Sequence, residues 1–354
     1  MKNKRIALLS LGLLFLPPAA GGKEPKNELK GLDLTQRYLI LIDVSTIGLN
    51  QAGAAGYRFV GGYVGYVWCG ENYDFPCDRS QFLMEKDAEG GAPFQYIKLR
   101  GTQEELNKTA SQGFRLVRRF SWKSSPDEEK NLTCLMEKSP HSDLRYQYLV
   151  LSVRKFWGSA KASALLPGIE DAIEKGYEIV QFNDILLGYT VALEKAVNRD
   201  SGSLPNIEHA SGLAASPRLR LLSTSKVSTL RKELAAATGY RLVATGGPGL
   251  LLEKVPVSSQ SYEYVILTGG ADDVLEKEMN EAAARGFRLH PWGGAQVMER
   301  RPGATALYRY RVLKTRRVAT MRNELAEAVR QGYEVLLGSG LFIVLQRPRG
   351  PGEP

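Results

Sequence analysis

A glycine followed by an aromatic residue closes a helix-like stretch six times along this chain, at Gly56-Tyr57, Gly113-Phe114, Gly176-Tyr177, Gly239-Tyr240, Gly286-Phe287 and Gly332-Tyr333. The glycines are spaced by 57, 63, 63, 47 and 46 residues, which sets the size of what can fold. A fixed period of this length is the mark of a repeat architecture rather than of one or two large domains. Each pair is followed by a charged residue and an apolar one, as in Arg58-Phe59, Arg115-Leu116, Glu178-Ile179, Arg241-Leu242, Arg288-Leu289 and Glu334-Val335. Later in each unit two apolar residues precede an acid or amide and a base. Leu83-Met84-Glu85-Lys86, Leu135-Met136-Glu137-Lys138, Ala192-Leu193-Glu194-Lys195, Leu251-Leu252-Glu253-Lys254, Val297-Met298-Glu299-Arg300 and Val344-Leu345-Gln346-Arg347 carry this signature.

One unit is readable in physical terms. Met321, Leu325 and Val329 recur at i, i+4 and i+8, as do Leu275, Met279 and Ala283, and Leu165, Ile169 and Ile173, so each set lines one helical face. Glycine then takes the left-handed position past the helix, where a Cβ is strained. An aromatic-rich strand precedes the helix and two short strands joined by a Gly-rich turn follow it. Each unit is therefore β-α-β-β. The right-handed crossover rule and the hairpin give sheet order 1-3-2, with the third strand central and antiparallel to both neighbours. That central strand is apolar on both faces: Leu250 and Leu252 on one and Leu251 on the other, Ile343 and Leu345 against Phe342 and Val344. A sheet with one wet face would alternate. The helix covers one face, and the simplest cover for the second is the sheet of another repeat. Units of about 45 residues are also small for independent stability. The expected fold is thus α+β: six tandem β-α-β-β repeats, three-stranded antiparallel sheets with one helix each, packed in pairs or as an array. Their boundaries fall at 34–88, 93–139, 144–197, 217–256, 261–302 and 305–348, with a Ser/Gly/Ala/Pro-rich linker over 198–216.

Residues 1–22 read as a signal peptide. Lys2, Lys4 and Arg5 precede an apolar run from Ile6 to Leu16, and Pro17-Pro18 and the small residues Ala19 to Gly22 end it. The run is too short to span a bilayer. The expected product is exported, to the periplasm or the extracellular space, with its formal charge reduced from +9 to +6 by loss of the leader. That modest surplus, with acids interleaved among the bases, argues against a nucleic-acid partner. Three cysteines exclude a disulfide-built scaffold, although Cys69 and Cys77 flank one insertion and form a disulfide candidate in an exported chain. Cys134 falls where the repeat requires a buried apolar residue, which makes it a free core thiol. His141, His209 and His290 sit at non-equivalent positions without metal-ligand spacing, so neither a metal nor another cofactor is expected.

Repeats four to six resemble a small bacterial domain of unknown function, the family numbered 4177 (DUF-4177). The resemblance rests on Tyr262-Glu263-Tyr264, Glu278-Met279-Asn280, Gly286-Phe287-Arg288-Leu289 and Val297-Met298-Glu299-Arg300, and on Tyr308-Arg309-Tyr310, Asn323-Glu324-Leu325, Gly332-Tyr333-Glu334-Val335 and Val344-Leu345. Repeat four departs from it, with Leu219 and Leu221 where tyrosine is expected, and repeats one to three carry insertions. The resemblance implies no activity.

A residue that recurs in every unit is required by the unit, so the recurring glutamates read as structural, the Gly-rich turns as hairpins and the tyrosine rows as cross-strand packing. No Gly-x-Ser-x-Gly elbow is present, and nothing points to an enzyme. The non-repeated insertions carry more information. From the closing glycine to the recurring Glu or Gln the distances are 29, 24, 18, 14, 13 and 14, so the extra residues lie between strands two and three. Repeat three has a further insertion after its first strand. In the expected topology these points share one end of a unit with the helix N-terminus. The insertions hold Trp68, Tyr73, Phe75, Trp122 and Trp157, together with Arg118, Arg119, Lys123, Arg154 and Lys155. Aromatic and arginine groups on loops held by a rigid frame suit recognition. The function expected is a non-enzymatic binding or scaffold protein whose insertion-loop end takes a protein or an envelope polymer. The alternative is a small-molecule or carbohydrate module with Tyr-lined grooves between repeats. The plainer reading of the loop aromatics is that they pack only their own loops, and the third possibility, an enzyme, requires non-repeated polar residues that converge on one cleft.

Overall fold

The computed structural model describes residues 27–42, 44–69, 75–87, 93–117, 133–140, 142, 144–154, 162–185, 188–197, 218–223, 226–246, 249–255, 262–269, 272–290, 297–301, 303, 305–314, 318–339 and 342–350. Unit one contains β1 (Tyr38–Ile42), α1 (Thr46–Ala54), β2 (Tyr57–Cys69) and β3 (Phe75–Lys86). Unit two contains β4 (Gln95–Arg100), α2 (Gln103–Ala110), β5 (Arg115–Leu116) and β6 (Thr133–Lys138). Unit three contains β7 (Arg145–Arg154), a 3₁₀ turn (Ala162–Leu165), α3 (Leu166–Glu174), β8 (Glu178–Ile185) and β9 (Gly188–Val197). Unit four contains β10 (Leu219–Ser223), α4 (Val227–Ala235), β11 (Tyr240–Gly246) and β12 (Gly249–Lys254). Unit five contains β13 (Glu263–Ile266), α5 (Asp272–Ala284), β14 (Arg288–Leu289) and β15 (Val297–Arg300). Unit six contains β16 (Tyr308–Leu313), α6 (Val318–Arg330), β17 (Glu334–Ser339) and β18 (Phe342–Pro348).

The helix-closing glycines have φ between 80° and 91°, the left-handed conformation that the repeat signature requires. Thr102 caps α2 by accepting the Glu105 N–H, and Ser45 caps α1 by accepting that of Ile47. Among the described residues the strands form six three-stranded sheets, each in the order 1-3-2 with an antiparallel central strand. The second strand carries a bulge just past its first apolar residue in β2, β8, β11 and β17. In units two and five the described residues of that strand, β5 or β14, are paired over two positions.

The cover of the second sheet face differs from the simplest sequence expectation. It is the helix of the preceding unit with strands of that unit beside it, not a sheet alone. Leu251 of β12 shares a core with Ile169 and Ile173 of α3, while Leu250 and Leu252 share the next core with Leu234 of α4 and Ile266 of β13. Val344 of β18 likewise joins Met279 of α5, and Ile343 and Leu345 join Met321 and Leu325 of α6. Each helix thus packs against its own sheet and the first strand of the next unit. A fully buried leucine-sized side chain contributes about 1.5–3 kcal/mol, so a unit without its neighbour forfeits several such terms on one face.

The series closes on itself. Tyr38, Ile40, Val60 and Leu83 of unit one lie in one core with Leu313, Met321, Leu325, Tyr333, Ile343 and Leu345 of unit six. Arg322 of α6 donates to the Ile40 carbonyl, Val335 N–H donates to the Tyr38 hydroxyl, and Arg37 bonds Glu334. A head-to-tail contact repeated until it closes is a ring. The sheets themselves approach at two junctions, where β2 meets β17 and β8 meets β11. At the first, a Cβ on Gly61 would lie 3.1 Å from Gly338 N, a spacing that glycine permits. These two approaches recur after three units. The ring therefore consists of two similar halves, joined in sequence through the 198–216 segment.

Candidate functional site

Of the insertion residues singled out in the sequence, Tyr73, Arg118, Arg119, Trp122, Lys123, Lys155 and Trp157 lie outside the described residues. The backbone places the other three. Trp68 and Phe75 sit at the far end of the β2–β3 hairpin, Trp68 opposite Pro76 and Phe75 opposite Cys69. Arg154 ends β7 opposite Gly188, and Ile185, the last residue of β8, is opposite the same glycine. The two insertion points of unit three therefore open at one end of the sheet, as the topology required. Cys77 stands opposite Val67, two positions along the ladder from the partner of Cys69.

The described polar chemistry is concentrated at the junctions between units. Each first strand presents a tyrosine paired in register with the recurring acid or amide, except in unit four, where Leu219 faces Glu253. The tyrosine hydroxyl crosses to the preceding unit and accepts a backbone N–H of its second strand. Phe59 donates to Tyr96 at 2.8 Å, Leu116 to Tyr148 at 2.7 Å, Leu242 to Tyr264 at 2.8 Å, Leu289 to Tyr310 at 2.9 Å and Val335 to Tyr38 at 3.3 Å. In four of the five the hydroxyl's own proton goes back to the acid of its unit, from Tyr96 to Glu137, Tyr148 to Glu194, Tyr264 to Glu299 and Tyr38 to Glu85. Burial raises the Tyr96, Tyr148 and Tyr264 hydroxyl pKa well above the usual range, which keeps them as donors. It also raises that of Glu137. Arg115 reaches over from unit two to pair with the nearly inaccessible Glu194, while Arg218 and Arg241 clamp Glu253. The recurring acids are junction parts, each bonded into the frame.

A second polar device was missed in the sequence. The strand edge facing the previous helix has outward backbone groups that need partners. Asn50 accepts the Tyr96 N–H at 2.6 Å and donates to the Tyr96 carbonyl at 3.0 Å. Asn107 does the same for Tyr148, and Asn280 for Tyr310. All three asparagines stand six residues before the helix-closing glycine, so the signal is present in the repeat register.

His290 occupies the place of Val60, Val117, Val180, Val243 and Leu336 in the other units. It is buried with Nε2 3.9 Å from Glu299 Oε2, and burial holds its pKa down at about 4 despite the opposing pull of that carboxylate. Cys134 is a free, buried thiol, pushed up to about 12 by burial. That is the environment of an inert core cysteine. Among the described residues no group of three or more His, Cys, Asp or Glu is placed to hold a metal ion. No protein-family model matches the chain, and neither a curated protein nor a solved structure matches it.

Two expected outcomes follow from this geometry. Tyr148→Phe strands the Leu116 N–H inside the junction, and chemical denaturation is expected to show a loss of about 1–3 kcal/mol. Folded His290 stays neutral until about pH 4, whereas the unfolded chain takes up this proton near its usual pKa of 6.5. Its stabilisation is therefore complete above the unfolded value and is lost as pH falls from there towards 4. His290→Asn is expected to flatten the stability profile in that window by about 2–3 kcal/mol relative to the parent protein. Glu137 shifts in the opposite sense but is common to both proteins, so the difference isolates His290.

Proposed function

We propose that the chain is an exported, non-enzymatic ring scaffold whose insertion-loop end binds a protein or an anionic envelope polymer. The observation that carries this reading is the shared end of the insertion points. Within unit three the segments after β7 and after β8 leave from the same end of the sheet. The helix follows β7, so its N-terminus lies at that end as well. The 1-3-2 order recurs in every unit, so the connections after β2 and after β5 leave the like end of their own sheets. On this reading the insertions of different units act together through their aromatic and basic residues. A rigid frame with variable loops is a common basis for recognition.

The described acids and hydroxyls that recur are engaged in holding units together, which supports binding over catalysis. The competing carbohydrate reading needs exposed tyrosine faces between repeats. Tyr38, Tyr96, Tyr148 and Tyr310 are buried in the junctions and present none. Among the described residues no helix is long and apolar enough to cross a membrane.

The test uses the protein without its leader as bait in envelope extract. Replacing both Trp122 and Trp157 by alanine is expected to lower capture of the partner at least about tenfold while the thermal midpoint stays within about 2 °C. Equal capture by the folded variant would contradict the proposal.

A further inference from the structure

The junction that closes the ring lacks the amide seen at three others, and has no acid in its place as units three and four have with Glu170 and Glu233. Ala326 stands six residues before Gly332, the place held by Asn50, Asn107 and Asn280 in their helices. Its counterpart on the neighbouring strand is Tyr38, equivalent to Tyr96, Tyr148 and Tyr310 by pairing with the recurring acid or amide. Lys86 N–H bonds the Arg37 carbonyl across the β1–β3 ladder. Alternation along an antiparallel pair then turns the N–H and C=O of Tyr38 outward, towards α6. At three other junctions an asparagine side chain meets these two groups. Here an alanine methyl faces them, and a cleft of about 250 Å³ is open between α6 and β1.

The lining of the cleft gives the rest of the chemistry. Leu325, Ala326, Val329 and Ile40 make an apolar wall, and Gln36 lies beside them with its amide bonded to Asp33. Arg37, Arg322 and Arg330 supply cations, and none of the described lining residues is a carboxylate. Arg37 pairs with Glu85 and Glu334, Arg322 is bonded to the Ile40 carbonyl, and Arg330 pairs with Glu327 with its side chain largely exposed. We propose that this cleft is a binding site for a small organic acid that carries a primary carboxamide. The carboxamide occupies the place of the missing asparagine side chain, accepting from Tyr38 N–H and donating to the Tyr38 carbonyl. The acid group lies at the arginine rim. A carboxylate in the inner position is disfavoured because it has no proton to give the Tyr38 carbonyl. The gap between a packed helix and a strand edge also suits a side-chain-sized group rather than a main-chain strand. The site lies at a junction, apart from the insertion loops, and does not rest on their proposed role.

The test is titration of the whole protein with N-acetyl-L-asparagine, followed by the backbone amide resonance of Tyr38. Saturable movement of that resonance is expected, with a Kd of about 0.1–5 mM for so small a ligand. N-acetyl-L-aspartate is expected to bind at least about tenfold more weakly, since one inner hydrogen bond becomes a repulsion. Ala326→Asn supplies the amide from within and is expected to abolish binding with the thermal midpoint unchanged or raised. Arg330→Gln, on the exposed rim, is expected to weaken binding by about threefold or more without altering the fold. The proposal is overturned if Tyr38 shows no saturable shift, if the aspartate analogue binds equally, or if folded Ala326→Asn or Arg330→Gln binds the probe as the parent does.

Discussion

Each sheet in this protein has two apolar faces and one helix of its own. The uncovered face is the constraint on which the rest of the structure depends. The central strands alternate between two cores, with Leu251 packed towards the preceding unit and Leu250 and Leu252 towards the following one. A linear array satisfies this everywhere except at its first sheet and last helix, which is why solenoids need capping repeats. Here the last helix, α6, covers the first sheet, and no cap is needed. The chain is organised by its junctions, and the folding unit is larger than the repeat.

Polar groups follow the same plan. Bringing a sheet edge against a neighbour's helix buries backbone N–H and C=O groups that must be met. The first-strand tyrosine and the helix asparagine meet them across the junction, and the recurring glutamate anchors the tyrosine from within its own unit. The same residues give each contact its direction, because the tyrosine always reaches back and the asparagine always reaches forward. The pattern has departures, and Glu170 and Glu233 stand in the asparagine place in units three and four. Leu219 replaces the tyrosine at the junction after the linker, and Ala326 replaces the asparagine where the ring closes.

The unit was legible in the sequence to the level of strand order. Gly56 and its counterparts marked the helix ends, and the two-sided apolar pattern of residues 250–252 and 342–345 showed that each sheet is covered twice. The identity of the cover was not legible, because a helix and a sheet offer the same apolar demand to a one-dimensional pattern. Closure was hidden for the same reason. The contacts between β1 and α6 join residues nearly 300 positions apart, such as Ile40 with Arg322, and nothing local distinguishes them from an internal junction. The recurring glutamates were read correctly as parts of the unit, but their tyrosine partners were seen only as packing. The asparagine position was visible in the register and went unnoticed because only three of the units keep it.

Closure of the ring is tested most directly by hydrogen exchange read residue by residue on the monomeric protein. The Val335 amide is bonded across the closing junction, as the Leu116 and Leu289 amides are across internal ones. In a closed ring the Val335 amide is protected to a degree comparable with the other two, because opening it requires breaking a core of the same kind. Exchange of Val335 near the rate of an open chain, with Leu116 and Leu289 still protected, would show an open array and contradict the ring.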